Sequence, residues 1–224
     1  MDISAPTVLS DAGDVVLDEG DVRDLIDAGV TRVLATGARP IVLGGDHSIT
    51  FPAVRAVSRT ATRLTVLHID AHSDLYDSFE GDRYSHACPF ARIMEEKLAA
   101  RLVRVGIRTL TRHQREQADR FQVEVIDMRA WESGVRPLIA SGETVYLSVD
   151  LDGIDPAFAP GVSHPEPGGL TVREVVSLIQ RLDASLVAAD VVECNPEVDP
   201  SGITSTVAAK LVKEIAAAMH RVAR

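Results

Sequence analysis

Cysteine, aromatic side chains and positive charge are all scarce in this chain. Cys88 and Cys194 are the two cysteines of 224 residues, too few for a disulfide framework and wrongly spaced for a cysteine metal site. Each reads as a small buried residue of a reducing compartment. Aromatics make up 4% of the chain, so its core must be built mainly from Val, Leu, Ile and Ala. Acidic residues outnumber Lys and Arg by 33 to 23, a net charge of −10. That balance argues against general nucleic-acid binding, which needs a positive footprint. It is compatible with a small cationic substrate, and it is also ordinary for a soluble protein. No apolar run reaches the length of a membrane span. The opening Met1-Asp-Ile-Ser-Ala-Pro6 has no basic region followed by an apolar run, so no secretory leader is read there. These absences point to the cytoplasm, with neither nucleic acid nor membrane as a partner.

Hydrophobic residues account for 46% of the chain, enough for one domain with a full core and too many for a disordered one. The first twenty residues are acidic and aperiodic. Beyond them, apolar runs and periodic segments alternate. Helices are expected over Asp21 to Leu34, from Ser48 to Ser58, Phe90 to Ala100, Thr111 to Arg120, Trp131 to Ala140, from Thr171, and Ser205 to Val222. Strands are expected at Ile41 to Leu43, Leu64 to Ile69, Leu102 to Gly106, Val123 to Ile126, Thr144 to Val149 and Leu186 to Val192. Thr171 with Glu174 three residues on reads as a capping box. Ser73 to Ser85 and the Pro- and Gly-rich stretch from Asp155 to Gly169 read as loops. Alternating strands and helices imply an α/β fold, a three-layer sandwich around a mostly parallel central sheet.

The chemistry is concentrated where strands run out. Asp70-Ala-His-Ser-Asp74 follows the run at Leu64 to Ile69, and in an extended segment Asp70, His72 and Asp74 would share one side. Such a cluster needs positive charge between its members, and mixed carboxylate and imidazole donors suit Mn, Fe or Zn. A second acidic pair, Asp150 and Asp152, ends the run at Thr144 to Val149. His47 follows Gly44-Gly45-Asp46 after a third strand. Asp70, Asp74, Asp150 and Asp152 bring four negative charges, which two divalent cations balance and one does not. Two metals sharing a water make a hydrolytic centre.

Gly44-Gly-Asp-His-Ser48, Asp70-Ala-His-Ser-Asp74 and Ser148-Val-Asp-Leu-Asp-Gly-Ile-Asp-Pro156 resemble, in order and spacing, the three signatures of the ureohydrolases, the arginase and agmatinase family of binuclear manganese enzymes. The resemblance runs from about Pro40 to the C-terminus. It implies an arginase/deacetylase-like fold, two Mn ions per chain and a homotrimer or homohexamer. It assigns His47, Asp70, Asp74 and Asp150 to one Mn, and Asp70, His72, Asp150 and Asp152 to the other. Tyr84-Ser-His86 resembles an agmatinase loop whose histidine shuttles protons, and Val192-Glu-Cys-Asn-Pro196 resembles a segment whose glutamate meets the guanidinium. His86, Asp74 and Glu193 are therefore the implied catalytic residues, and Glu193 and His86 the implied substrate contacts; His164, outside the resemblance, reads either as a substrate contact at the mouth or as an exposed loop residue. A metal-bridging hydroxide would cleave a small guanidino compound to urea and an amine.

The segment Leu75 to His86 lacks the Ser/Asn-rich run with which arginases hold an α-carboxylate, and this favours agmatine as substrate. Arginase, guanidinobutyrase and formimidoylglutamase activities share the metal motifs and are the alternatives. A one-zinc deacetylase chemistry and a non-catalytic, metal-binding regulatory subunit are the readings of other kinds. The family's glycine-rich, arginine-containing segment is not recognisable before Gly44, so residues 1–224 read as a single ureohydrolase domain shortened at its N-terminus. Ser163-His164 departs from the family's usual Gly-Thr. His68 reads as a core histidine or as a support behind the ligands rather than a ligand itself, and His113 and His220 need no function.

Overall fold

The computed structural model describes residues 9–221. Met1–Pro6, read above for a leader, and Val222, read as a helix end, lie outside them. Six strands form one sheet in the order β1-β6-β5-β2-β3-β4, all neighbours parallel. They are β1 (Ile41–Leu43), β2 (Thr65–Ile69), β3 (Arg101–Ile107), β4 (Glu124–Asp127), β5 (Thr144–Asp150) and β6 (Ser185–Val192). The helices before, between and after them are α1 (Val22–Ala35), α2 (Thr50–Ser58), α3 (Pro89–Glu95), α4 (Arg112–Arg120), α5 (Met128–Glu132), α6 (Val172–Arg181) and α7 (Ile203–Arg221).

Strand periodicity divides the core in two. Leu67 and Ile69 of β2, Val103 and Val105 of β3, and Leu147 and Val149 of β5 pack toward α6 and α7, against Val175, Ile179, Leu211 and Ile215. Val66, Leu102, Tyr146 and Ala188 face the other way, toward Ile26, Val54, Phe90 and Ile93 of α1, α2 and α3. Both faces of the sheet are covered, as a parallel sheet requires. This is the three-layer α/β architecture expected from the alternation.

Several boundaries differ from expectation. The helix expected over Trp131 to Ala140 begins earlier, at Met128, because the Asp127 carboxylate caps it by accepting from the Ala130 N–H at 2.8 Å. Beyond Gly134 the chain runs irregularly through Pro137. The helix expected over Phe90 to Ala100 stops at Glu95; Lys97 turns left-handed at φ +56°, with no Gly or Pro to announce it. Cys88 is buried as expected, but Cys194 is only half-buried, and both thiols are free. The capping box at Thr171 and Glu174 forms as read. Among the described residues no helix is long and apolar enough to cross a membrane.

Candidate metal centre

Every one of the six residues read as metal ligands lies at or just past the C-terminal end of a strand, along the line β1-β6-β5-β2. The local geometry is not the extended one assumed from spacing. Strand β2 ends at Ile69, and Asp70–Asp74 forms a loop in which Asp74 adopts φ +45°. Likewise β5 ends at Asp150, and Asp152 sits in a 3₁₀ turn, Leu151–Gly153, whose cap is the Asp150 carboxylate accepting from the Asp152 N–H at 2.8 Å. Turns, not strand alternation, bring each pair of carboxylates together.

The strand ends are packed closely enough to fix this loop. A Cβ placed on Gly153 would lie 2.9 Å from the Asp70 nitrogen, and one on Gly106 (φ +94°) 3.0 Å from the Asp70 oxygen. Glycine at both positions lets the backbone of Asp70 sit between the neighbouring strands. Arg108 then ties the turn to the following loop: its guanidinium donates to the carbonyls of Asp152 (2.6 Å), Gly153 (3.2 Å) and Glu166 (2.5 Å).

His47 Nδ1 lies 3.0 Å from Asp150 Oδ2, 3.1 Å from Asp74 Oδ2 and 3.3 Å from Asp70 Oδ2. His72 Nδ1 lies 2.9 Å from Asp152 Oδ2 and 3.5 Å from Asp70 Oδ1. Three donor groups result, His47/Asp70/Asp74/Asp150, Asp70/His72/Asp152 and His47/His68/Asp70, the donor atoms of each within 4.8 Å of one another. The third adds only His68 to two members of the first, leaving two clusters joined through Asp70. Asp150, expected to bridge as well, falls in the first cluster only.

Electrostatics shows why such a cluster wants cations. Burial, with Asp152 and Asp70 beside it, pushes the Asp150 carboxyl well above the usual range. Burial and Asp70 push Asp152 up to about 7 and raise Asp74. Buried like charges cannot all ionise unless positive charge separates them. The donor set is hard oxygen plus imidazole, which suits two divalent first-row ions, and two clusters sharing a carboxylate fit two ions better than one.

The site also has a supporting network that spacing alone did not expose. The Ser148 hydroxyl donates to Asp190 Oδ1 (2.7 Å), so it accepts from His47 Nε2, 3.0 Å away. In the neutral ring this puts the proton on Nε2 and leaves the Nδ1 lone pair, beside the carboxylates, free to ligate a metal. Asp190 Oδ2 in turn accepts from Tyr146 (2.7 Å) and Thr50 (2.8 Å), all of it buried. The visible signal was polar residues interrupting apolar runs: Tyr146 and Ser148 in β5, and Asp190 in β6. His68, read as a core histidine, is fully buried with Nε2 2.7 Å from Asp70 Oδ2.

Glu193 follows β6 with φ +63°, and its side chain accepts from the His47 N–H at 2.8 Å. Its carboxyl is raised, mainly by burial. His86 is half-buried and stacks on the exposed His164, ring centres 5.4 Å apart; His164 is 6.3 Å from the His72 ring. His86, Ser85, Asp46, Glu80 and Asp82 line a cleft of about 380 Å³. His113, given no function, accepts from the Asp77 N–H and stacks on Tyr76.

Comparison with known proteins gives the geometry a context. The model of the arginase family matches residues 3–218. Mitochondrial arginase 1 of Arabidopsis thaliana is 47% identical over 98% of this chain and 69% of its own length. The guanidinobutyrase of Pseudomonas aeruginosa is 35% identical over 96% of this chain and 72% of its own length. Among solved structures, an arginase from Medicago truncatula superposes with a TM-score of 0.83 at 48% identity, covering 91% of this chain and 67% of that one.

Proposed function

Because this chain belongs to the arginase family, we propose that it is a manganese-dependent ureohydrolase that cleaves arginine to urea and ornithine. The observation carrying the reading is the pair of buried His/Asp clusters joined through Asp70. His47, Asp70, Asp74 and Asp150 would hold one ion, and Asp70, His72 and Asp152 the other. Two bound divalent ions would supply acidification of a shared water near neutral pH.

The remaining roles belong to the chain itself. Glu193, buried beside His47, accepts hydrogen bonds from the planar guanidinium and offsets its charge. Hydrolysis places the water oxygen in urea, and one proton must reach the departing amine nitrogen. Asp74 and His86 are the proposed proton carriers. His164, stacked on His86, lines the mouth. Assembly into trimers or hexamers and a cytoplasmic location are part of the same proposal; light scattering and cell fractionation test them.

Agmatine was favoured by the segment Leu75 to His86. The sequence match to an arginase at 47%, against 35% for a guanidinobutyrase, weighs toward arginine instead. Agmatine keeps one observation in its favour, the carboxylates of Asp46, Glu80 and Asp82 around the cleft, which suit a cationic tail. Urea release after Mn loading, with arginine, agmatine and 4-guanidinobutyrate side by side, and formamide release from formimidoylglutamate, decides among them. Turnover of arginine is expected. Turnover of agmatine with silence on arginine would reverse the substrate assignment, and silence on all with two Mn bound would favour a binding subunit.

A further inference from the structure

A row of buried polar side chains crosses the sheet beneath the donor clusters. Register pairs Asp190 with Ser148, Ser148 with His68, and His68 with Arg104, spanning β6, β5, β2 and β3. The first three are accounted for: Asp190 and Ser148 support His47, and His68 supports Asp70. Arg104 is not. It is fully buried, and none of its three guanidinium nitrogens has a hydrogen-bond partner among the described residues.

Most buried arginines are held by a carboxylate or by carbonyls, because an unpaired buried cation is costly. Arg92 shows the ordinary solution in this fold, donating to the carbonyls of Asp77 and Arg83. Arg104 instead has the face of Phe90, with Cζ 5.3 Å from the ring centre. The other contacts of that ring are His68 at 3.9 Å and His47 at 5.2 Å, so the cation and the metal-side histidines share one aromatic wall. Burial lowers the Arg104 pKa to about 9, and the charges opposing that shift are Asp74 first and Asp70 second. It is still protonated at neutral pH.

We propose that Arg104 is a positioning residue that acts by charge: a fixed counter-cation behind Asp70 and Asp74, which balances the clusters when they hold fewer metal ions and which incoming divalent ions bind against. The inference rests on the metal reading of those clusters. In a buried site a unit charge is weakly screened, so its removal must change the affinity of a dication. The direction is specific. Loss of an ordinary structural arginine would loosen the site and weaken metal binding, whereas loss of a competing cation tightens it.

Metal-stripped wild type, Arg104→Gln and Arg104→Lys, as full chains, are titrated with Mn²⁺ while free Mn²⁺ is followed by electron paramagnetic resonance. Arg104→Gln is expected to bind Mn²⁺ on the order of tenfold more tightly. Arg104→Lys, which keeps the charge and loses the shape, is expected to stay near wild type. Arg104→Met replaces the Gln variant should that one fail to fold by circular dichroism. A folded neutral variant that binds Mn²⁺ no more tightly than wild type, or a Lys variant that behaves like the neutral one, overturns the inference while leaving the metal centre intact. Wild type that binds no Mn²⁺ overturns the metal reading and this inference with it.

Discussion

Single side chains in this centre act through the bonds they hold in place. Ser148 touches His47 through one hydrogen bond, yet that bond determines which imidazole nitrogen faces the carboxylates. Ser148→Ala is expected to keep the fold and weaken Mn binding by roughly tenfold to a hundredfold, the usual effect of removing a partner of a metal-ligating histidine. Metal titration against wild type measures it, and unchanged affinity would remove the tautomer argument. His86 stands outside both clusters. His86→Ala should retain two Mn per chain by elemental analysis while losing roughly 10²-fold or more in kcat, the range of a general acid or base. Loss of metal from that variant would put His86 among the ligands. Residue identity was the most legible level of the sequence: His47, His72 and the four aspartates converge as read. Ser148, Asp190, Arg104 and Arg108 escaped because their roles depend on register between strands far apart in the chain. No local spacing encodes that register.

Elements place these side chains by ending where they do. Sequence reading located all six strands within a residue or two, since buried parallel strands are short β-branched runs with little ambiguity. It misjudged how ligands leave them. Alternation along an extended segment and a tight turn both put residues i and i+2 on one side, so the spacing was right and the conformation wrong. The helix ends at Glu95 and Met128 were illegible for a related reason: one stops on a left-handed Lys97, and the other starts on the Asp127 cap, one residue past the run read as strand. The turn after β5 offers an element-scale test. Gly153→Ala sets a methyl against the Asp70 backbone, which is a strand end and cannot move aside as a side chain would. The variant should lose Mn affinity more than about tenfold, since metal sites tolerate only tenths of an ångström of ligand displacement. Its turn itself needs no left-handed φ at that position, so an effect on melting alone, with wild-type Mn affinity, would count against this packing argument.

For the whole molecule, the proposed metal loading would be linked to stability. Asp152 titrates near 7 in the fold through burial and its neighbour Asp70, against an ordinary carboxylate value near 4 in the unfolded chain. A raised folded pKa contributes stability that is fully present below about pH 4 and is lost as pH climbs to about 7. The metal-free protein should therefore lose a stabilising contribution across that window, and Asp150 and Asp74, also raised, act in the same sense. Bound Mn²⁺ replaces the protons, so the loaded protein should melt higher and gain most at the upper end of the window. Melting curves with and without Mn²⁺ at pH 5 and pH 7.5 test this; an increment independent of pH would contradict it. The sheet order has a further consequence, for synthesis on the ribosome. Strands β6 and β5 lie between β1 and β2, so the two strands that lead into His47 and Asp70 run some three strand spacings apart, roughly 14 Å, and nothing sets that spacing until the later half of the chain is wedged between them. A nascent chain ending before Asp150 carries His47, Asp70, His72 and Asp74 but has no completed cage, and Glu193 emerges later still. On the proposed metal reading, metal capture would be a late event of biogenesis, a signal that the last central strand has found its place.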